Sequence, residues 1–330
     1  MDRYSVEYFS QNHIHKDQLN ILLDSNRFKQ VIQGKTFAQI YKFLQVDRTT
    51  IEKYSIKYQC HDIINWTSSY LEDQIEDICK NNSIEYVRNT SKIIPPLELD
   101  FYFPHANAAI ECHRLYWHSE NITNKVKEYH WNKWKMCEER GIDLYQYFED
   151  EINDKFEVIK SKILYLNNKH LGKIIGAREL SINWLKNRSD EEHFYNSNHL
   201  QGIRYDRTHV IGACNNQFDL VAVMSIKCIK SNQMEIVRFA TDIVNRYPGA
   251  FSKMLTWAIN QLNFKGEVLS WSDNRHSNGH LYKSNGFKYV REQGLAYFVT
   301  DYVNRWRREH FMKNKIKERH PEVDLNKTEW

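Results

Sequence analysis

Hydrophobic and polar positions change period three times along the 330 residues. Up to about residue 60, Phe37, Ile40, Tyr41 and Leu44 recur at helical spacing and predict one apolar helix face. Gln45 and Val46 make a short turn, and Asp47 is a good N-cap for a second helix over 48–58, with Thr49, Thr50 and Lys53 pointing outward near its start. A second zone opens with a helix over 66–81, carrying Leu71, Ile75 and Ile78. Strict alternation over 97–103 (LELDFYF) predicts a half-buried strand, the turn 104–107 follows, and 108–113 is its buried hairpin partner. A charged helix over about 125–140 stops at Gly141, and 142–148 alternates again as a strand ending at Glu149 and Asp150. In the third zone 210–214 and 220–225 flank the turn residues Asn215 and Asn216, then come a strand over 234–239, a helix over 251–262, a strand over 267–271 and a Gly-capped helix end at 281–287. The order predicts an α/β (α+β) chain: a helical segment 1–62, a small mixed sheet with helices over 63–163, a second mixed sheet over 164–301 and a basic tail 302–330.

Composition adds little. Hydrophobic residues make up 41% and the net charge is only +4. No apolar run approaches the length of a membrane span and the first residues lack a signal-peptide core, so a soluble, cytoplasmic protein is expected. The six cysteines (60, 79, 112, 137, 214 and 228) form no CxxC pair and are expected to be reduced thiols. Local charge is more telling. The stretch 305–319 carries seven Lys/Arg against two Glu, with Trp306 and Phe311 interleaved, so Arg305, Arg307 and Arg308 are candidates to neutralise DNA phosphates. A basic solvated helix face is the plainer alternative. The two short helices of the first zone match helix-turn-helix geometry, with Arg48, Thr49, Thr50 and Lys53 as candidate contacts to double-stranded DNA; an ordinary helical hairpin is again the alternative. They resemble the small modules of transcription regulators and many phage nucleases.

Candidate chemistry gathers on the hairpin of the second zone. Asp100 and Glu111 stand near the ends of two strands joined by a tight turn, so their carboxylates can converge, as a hard cation such as Mg2+ requires. Magnesium there would polarise a phosphodiester. His113 and His118 titrate near neutrality and can take or give a proton. Singly, each of these residues is as often structural or solvated.

The runs LELDFYFP (97–104) and AIECHRLYWHSE (109–120), with Tyr129, His130, Cys137, Arg140, Gly141, Ile142 and 148–151 downstream, resemble the very-short-patch-repair (Vsr) endonucleases. They are more similar still to the Vsr-like homing endonucleases of phages, within the PD-(D/E)xK superfamily. The resemblance implies Asp100 as main metal ligand, the main-chain carbonyl of Cys112 as a further ligand, and His113 with His118 as the acid/base pair. It also implies an acidic residue on the preceding helix, for which Glu72 fits best and Glu76 second; Asp150 matches an acidic position of open role. His113 stands where the wider superfamily has Lys. Ser119 and Glu120 follow His118 where the repair enzymes bind a structural zinc, so that zinc is expected to be absent. A separate zinc cluster of Cys112, His113, His118, His130 and Cys137 is disfavoured, because adjacent strand residues point to opposite faces.

In the third zone, 273–287 (DNRHSNGHLYKSNGF) looks like the last motif of the GNAT acyltransferase fold. Its loop of form (Q/R)xxGx(G/A), whose amides hold a pyrophosphate, has its nearest match in Arg246-Tyr247-Pro248-Gly249-Ala250-Phe251. Phe251 replaces a small residue and is expected to block that cradle, leaving the tail domain a role in DNA contact. The expected activity is therefore site-specific, Mg2+-dependent DNA cleavage of the homing type. The alternative is a GNAT-type acyltransferase or DNA-modifying protein that uses the nuclease-like part to bind DNA. A DNA-binding protein with a decayed nuclease is a third reading, against which the intact Asp100, His113 and His118 speak. None of these readings implies a membrane or an obligate protein partner.

Overall fold

The computed structural model describes residues 16–35, 37–46, 48–64, 70–115, 128–294, 298–300 and 305–319. Contacts divide the chain into two compact units, one of Met1–Asp73, Arg114–Lys125 and Leu295–Trp330, the other of Gln74–His113 and Val126–Gly294. No helix among the described residues is long and apolar enough to cross a membrane.

The first unit contains helices α1 (Lys16–Leu23), α2 (Ser25–Ile32), α3 (Phe37–Leu44) and α4 (Arg48–Lys57). Asp24 caps α2, its carboxylate accepting from the amides of Asn26 (2.9 Å) and Arg27 (3.1 Å). Leu22, Phe28, Ile32, Ile40, Leu44, Ile51 and Tyr54 form the core, and the Phe28 ring lies 5.7 Å from Tyr58. The two helices around the turn at Gln45 (φ 49°) agree with the sequence pattern in extent. Two side chains do not follow it. Tyr41 is 53% exposed, off the face that buries Ile40 and Leu44, and Thr50 is buried at 5% instead of pointing outward. The reason is that α4 is covered on more than one side: Thr50, Ile51, Glu52, Tyr54 and Ser55 are all buried, and Lys53 and Lys57 face out. The side chains of Arg48 and Thr49, and the proposed cap Asp47, lie outside the described residues. The basic segment begins as a strand: β10 (Phe298–Thr300) pairs antiparallel with β11 (Arg305–Arg307), and α12 (Lys313–Arg319) follows a short 3-10 turn. Helix α5 (Tyr70–Asn81) spans the boundary between the units.

The second unit carries two sheets. In the first, β1 (Val87–Ile94), β2 (Leu97–Phe103), β3 (Ala108–His113) and β4 (Asp143–Phe148) lie in sequence order. The first two pairings are antiparallel and β3–β4 is parallel, the crossover containing α6 (Tyr129–Glu138). Alternation sets the faces: Leu99, Phe101 and Phe103 are fully buried on one side of β2, while Asp100 and Tyr102 turn to the other. After α7 (Glu149–Asp154) and α8 (Phe156–Leu166) comes a five-stranded sheet of β5 (Ser181–Trp184), β6 (His209–Cys214), β7 (Leu220–Lys230), β8 (Gln233–Thr241) and β9 (Glu267–Ser270). Its first three pairings are antiparallel; β9 runs parallel to β8 after a crossover through α10 (Ala250–Gln261). Ile211, Met224, Ile226, Met234, Ile236, Phe251 and Met254 pack between this sheet and α10. Helix α9 (Arg188–Asn198) lays Tyr195 against β7, its hydroxyl 2.9 Å from Ser225 Oγ. The chain is thus mixed α/β, built of helices and two mixed sheets, as the pattern predicted.

Candidate functional site

The hairpin register brings the first two candidates together. Phe101 pairs with Ile110, which sets Asp100 across from Glu111 on the same sheet face. The backbone N–H of Asp100 donates to Glu111 Oε1 (3.0 Å), and the N–H of Cys112 donates to Asp100 Oδ2 (2.8 Å). Glu111 is 3% exposed, and its other oxygen is ion-paired with the ammonium of Lys133, which is equally buried and comes from α6. Burial, then the charge of Asp100, pushes the Glu111 carboxyl up, while Lys133 pulls it down. Two acidic groups this close need a counter-charge, and the lysine supplies it.

The parallel register of β3 and β4 extends the same face: Glu111 pairs with Gln146 and His113 with Phe148. His113 is buried, and its Nε2 lies 3.0 Å from Gln146 Oε1. Gln146 Nε2 in turn donates to the His130 carbonyl (3.4 Å), which fixes the amide orientation and makes His113 Nε2 the donor to Gln146 Oε1. The His130 ring stands edge-on to His113 at 4.2 Å. Asp100, Glu111, His113, Lys133, Gln146 and His130 therefore form one polar cluster over an apolar sheet.

The other candidates are placed as follows. His118 lies outside the described residues. Glu72 is half-buried on α5. Glu76 accepts from Tyr86 (2.6 Å) and Arg88 (2.8 Å); the Tyr86 hydrogen bond chiefly holds its carboxyl below the usual range, and its oxygens are engaged. Asp150 is partly buried at the start of α7. Among the described residues no group of three or more His, Cys, Asp or Glu side chains is arranged to hold a metal. Asp100 and Glu111 are oxygen donors of the kind Mg2+ takes, commonly one or two carboxylates with waters completing the shell, but both Glu111 oxygens are engaged here, by the Asp100 amide and by Lys133. Cys112 lies one residue from His113 on β3, and so on the other face of the sheet. Lys53, Arg307 and Arg308 are exposed, and the Arg305 guanidinium sits 4.4 Å from the Phe298 ring. Lys133 and Gln146 were not among the sequence candidates. Their signal is spacing: Lys133 and Cys137 are four apart and both buried, which puts a lysine on the inward stripe of a helix.

Near α10 the expectation about Phe251 is corrected. Its ring is 3% exposed and points into the core against Phe239 (5.1 Å) and Tyr282 (5.8 Å), so it leaves the loop before the helix unobstructed. What lies along that loop is the segment 173–177: Ile175 N donates to Arg246 O (2.9 Å), Ala177 N to Pro248 O (3.2 Å) and Arg246 N to Lys173 O (2.9 Å). Lys253 Nζ closes onto the carbonyls of Ala177 (2.9 Å) and Leu180 (2.6 Å).

No protein-family model matches the chain, and no curated protein matches it significantly. Among solved structures it is similar to a proposed acetyltransferase of Deinococcus radiodurans R1, at 11% identity and a TM-score of 0.29, over 39% of this chain and 92% of that one. It is also similar to a GNAT-family acetyltransferase of Streptococcus pneumoniae TIGR4, at 12% identity and a TM-score of 0.30, over 37% of this chain and 98% of that one.

Proposed function

We propose that the chain is a metal-dependent DNA endonuclease whose active centre is the Asp100–Glu111–Lys133 cluster. The observation that supports this reading is the pair of carboxylates on adjacent strands, each accepting a backbone amide of the other's strand, with a buried ammonium against one of them. Asp100 would be the main ligand of Mg2+, with Glu111 and the Cys112 carbonyl beside it. When bound, the ion would act as a Lewis acid on the scissile phosphodiester. Before it binds, Lys133 offsets the repulsion between the carboxylates and keeps Glu111 turned toward the site. Gln146 accepts from His113 Nε2 and so orients that ring, the proposed acid/base group. Lys53, Arg305, Arg307 and Arg308 are the proposed contacts to duplex DNA. Thr50 is dropped from that set because it is buried. Incubation with supercoiled and linear duplex DNA is expected to yield nicks or breaks with Mg2+ and none with EDTA. Asp100→Ala should lower the rate by about 10^3 or more, the loss of a principal electrostatic contributor. Undiminished cutting by that variant would remove the assignment.

A second reading, acyl transfer by the five-stranded half, is favoured by one observation. Strand β9 ends at Ser270, opposite Ile236, while β8 continues to Thr241 beyond it and leaves that edge of β8 without β9. Calorimetric titration with acetyl-coenzyme A tests it: saturable heat would support a transferase, and a flat trace would leave the nuclease reading alone.

A further inference from the structure

A second charged surface lies on the opposite face of the four-stranded sheet. Gln146 faces the carboxylate cluster, so its neighbour Tyr145 faces away, and Lys162 of α8 sits there with its ammonium 4.7 Å from the Tyr145 ring. One turn on, exposed Tyr165 has the Arg246 guanidinium at 4.7 Å and Lys162 at 5.9 Å from its ring. Exposed Lys169, Lys173 and Arg178 follow along the segment that pairs with the backbone around Arg246. Among the described residues none of these five cations is ion-paired. The carboxylates nearby are engaged by other groups: Asp143, whose charge bears on Lys162, by the Asn278 amide, Glu157 by Lys160, Glu179 by the Gly176 amide, and Asp242 by Tyr247 and the amides of Val244 and Asn245. The cations outnumber the carboxylates beside them, and such an excess creates a positive potential that a polyanion would relieve. Leu171, Ile174 and Val244, exposed by 96%, 67% and 65%, lie among the cations and offer apolar contact of the kind sugars and bases accept.

We propose that Lys162, Tyr165, Lys169, Lys173, Arg178 and Arg246 form a nucleic-acid-binding ridge that grips the phosphate backbone of duplex DNA. The proposal goes beyond the nuclease reading, since the ridge is separate from the carboxylates and acts whether or not they cleave. Duplex DNA is favoured over an anionic bilayer because the charges stand on a helix end and an extended segment. Helix α8 turns its apolar residues Ile159 and Ile163 into the core, so no amphipathic helix is laid open for insertion.

The test is fluorescence anisotropy of the full chain with a labelled DNA duplex in EDTA, so that cleavage plays no part, over a series of salt concentrations. Each phosphate contact contributes about 0.9 to the slope of log affinity against log salt. The triple variant Lys169→Gln/Lys173→Gln/Arg246→Gln should lower that slope by about 2–3 and weaken binding roughly tenfold or more near physiological salt. Restoring one charge, with Lys at position 246, should recover about one unit of slope. Melting curves establish that the variants are folded. A triple variant that is folded but keeps wild-type slope and affinity would overturn the proposal. So would a wild-type chain with no affinity for duplex at low salt, or a variant that loses only binding to phosphatidylserine vesicles. Binding that depends on the ridge while Asp100→Ala still cleaves would sink the nuclease reading and leave the ridge standing.

Discussion

A buried ammonium is stable only where an anion meets it, and Lys133 meets Glu111 at a site where both are nearly inaccessible to water. Glu111 also accepts the Asp100 amide, so the pair is tied to the backbone of the hairpin as well as to itself. Removing only the lysine leaves a desolvated carboxyl beside the negative Asp100. Lys133→Met is therefore expected to cost about 3–5 kcal/mol of stability in urea unfolding, as breaking one side of a buried pair does. The double variant Lys133→Met/Glu111→Gln should recover much of the loss, because neither uncompensated charge is then buried. A double variant no more stable than the single one would show that Lys133 acts through packing of its aliphatic stem alone.

At the scale of elements, period was legible and context was not. The strand over Leu97–Phe103 follows from its alternation, and the helices Phe37–Leu44 and Ala250–Gln261 from their apolar spacing, since one face of each is buried and the other is not. Strand β1 escaped notice because it is an irregular edge strand: Arg88, Asn89, Thr90 and Ser91 interrupt any apolar alternation, Asn89 adopts φ 50°, and the register shifts after Thr90. Helix α9 escaped for a different reason. Its buried residues include Glu191, held by Arg207 and Ser225, so a charge stands where periodicity seeks an apolar residue. The same blindness applied to the candidate site. Asp100, Glu111 and His113 were visible as residues of the right type on one hairpin, whereas Lys133 and Gln146 belong to the cluster only through the parallel pairing of β3 and β4. Phe251 shows the converse error, where a bulky residue at a loop was read as an obstacle although the helix period carries it into the core.

For the larger unit as a whole, the two sheets are joined through one strand edge. The free side of β4 is closed by the chain around Arg275, whose carbonyl accepts from the Gln146 amide at 2.8 Å. That loop is anchored by side chains: the Arg275 guanidinium bridges Glu151 (3.2 Å) and Asp273 (2.9 Å) and lies 5.4 Å from the Phe148 ring, and His276 stacks on Tyr147 at 5.3 Å. Asn278 adds a hydrogen bond to Asp143 at 2.8 Å. Apart from the Arg275–Asp273 pair within the loop itself, these contacts fall on β4 or just past its end, so a residue of the five-stranded half steadies the strand whose Gln146 orients His113. Arg275→Met removes the fork that ties Glu151 to Asp273 and takes a guanidinium away from two largely desolvated carboxylates. Amide exchange at Gln146 and its β4 neighbours should then accelerate by about 10-fold or more, the equivalent of about 1.4 kcal/mol in local opening. Strands β6 and β7, which the arginine does not touch, should keep their protection. If β4 stayed as protected as in the wild type, the loop would be a passive neighbour. If all strands loosened together, the arginine would be serving global stability instead of the strand beneath it.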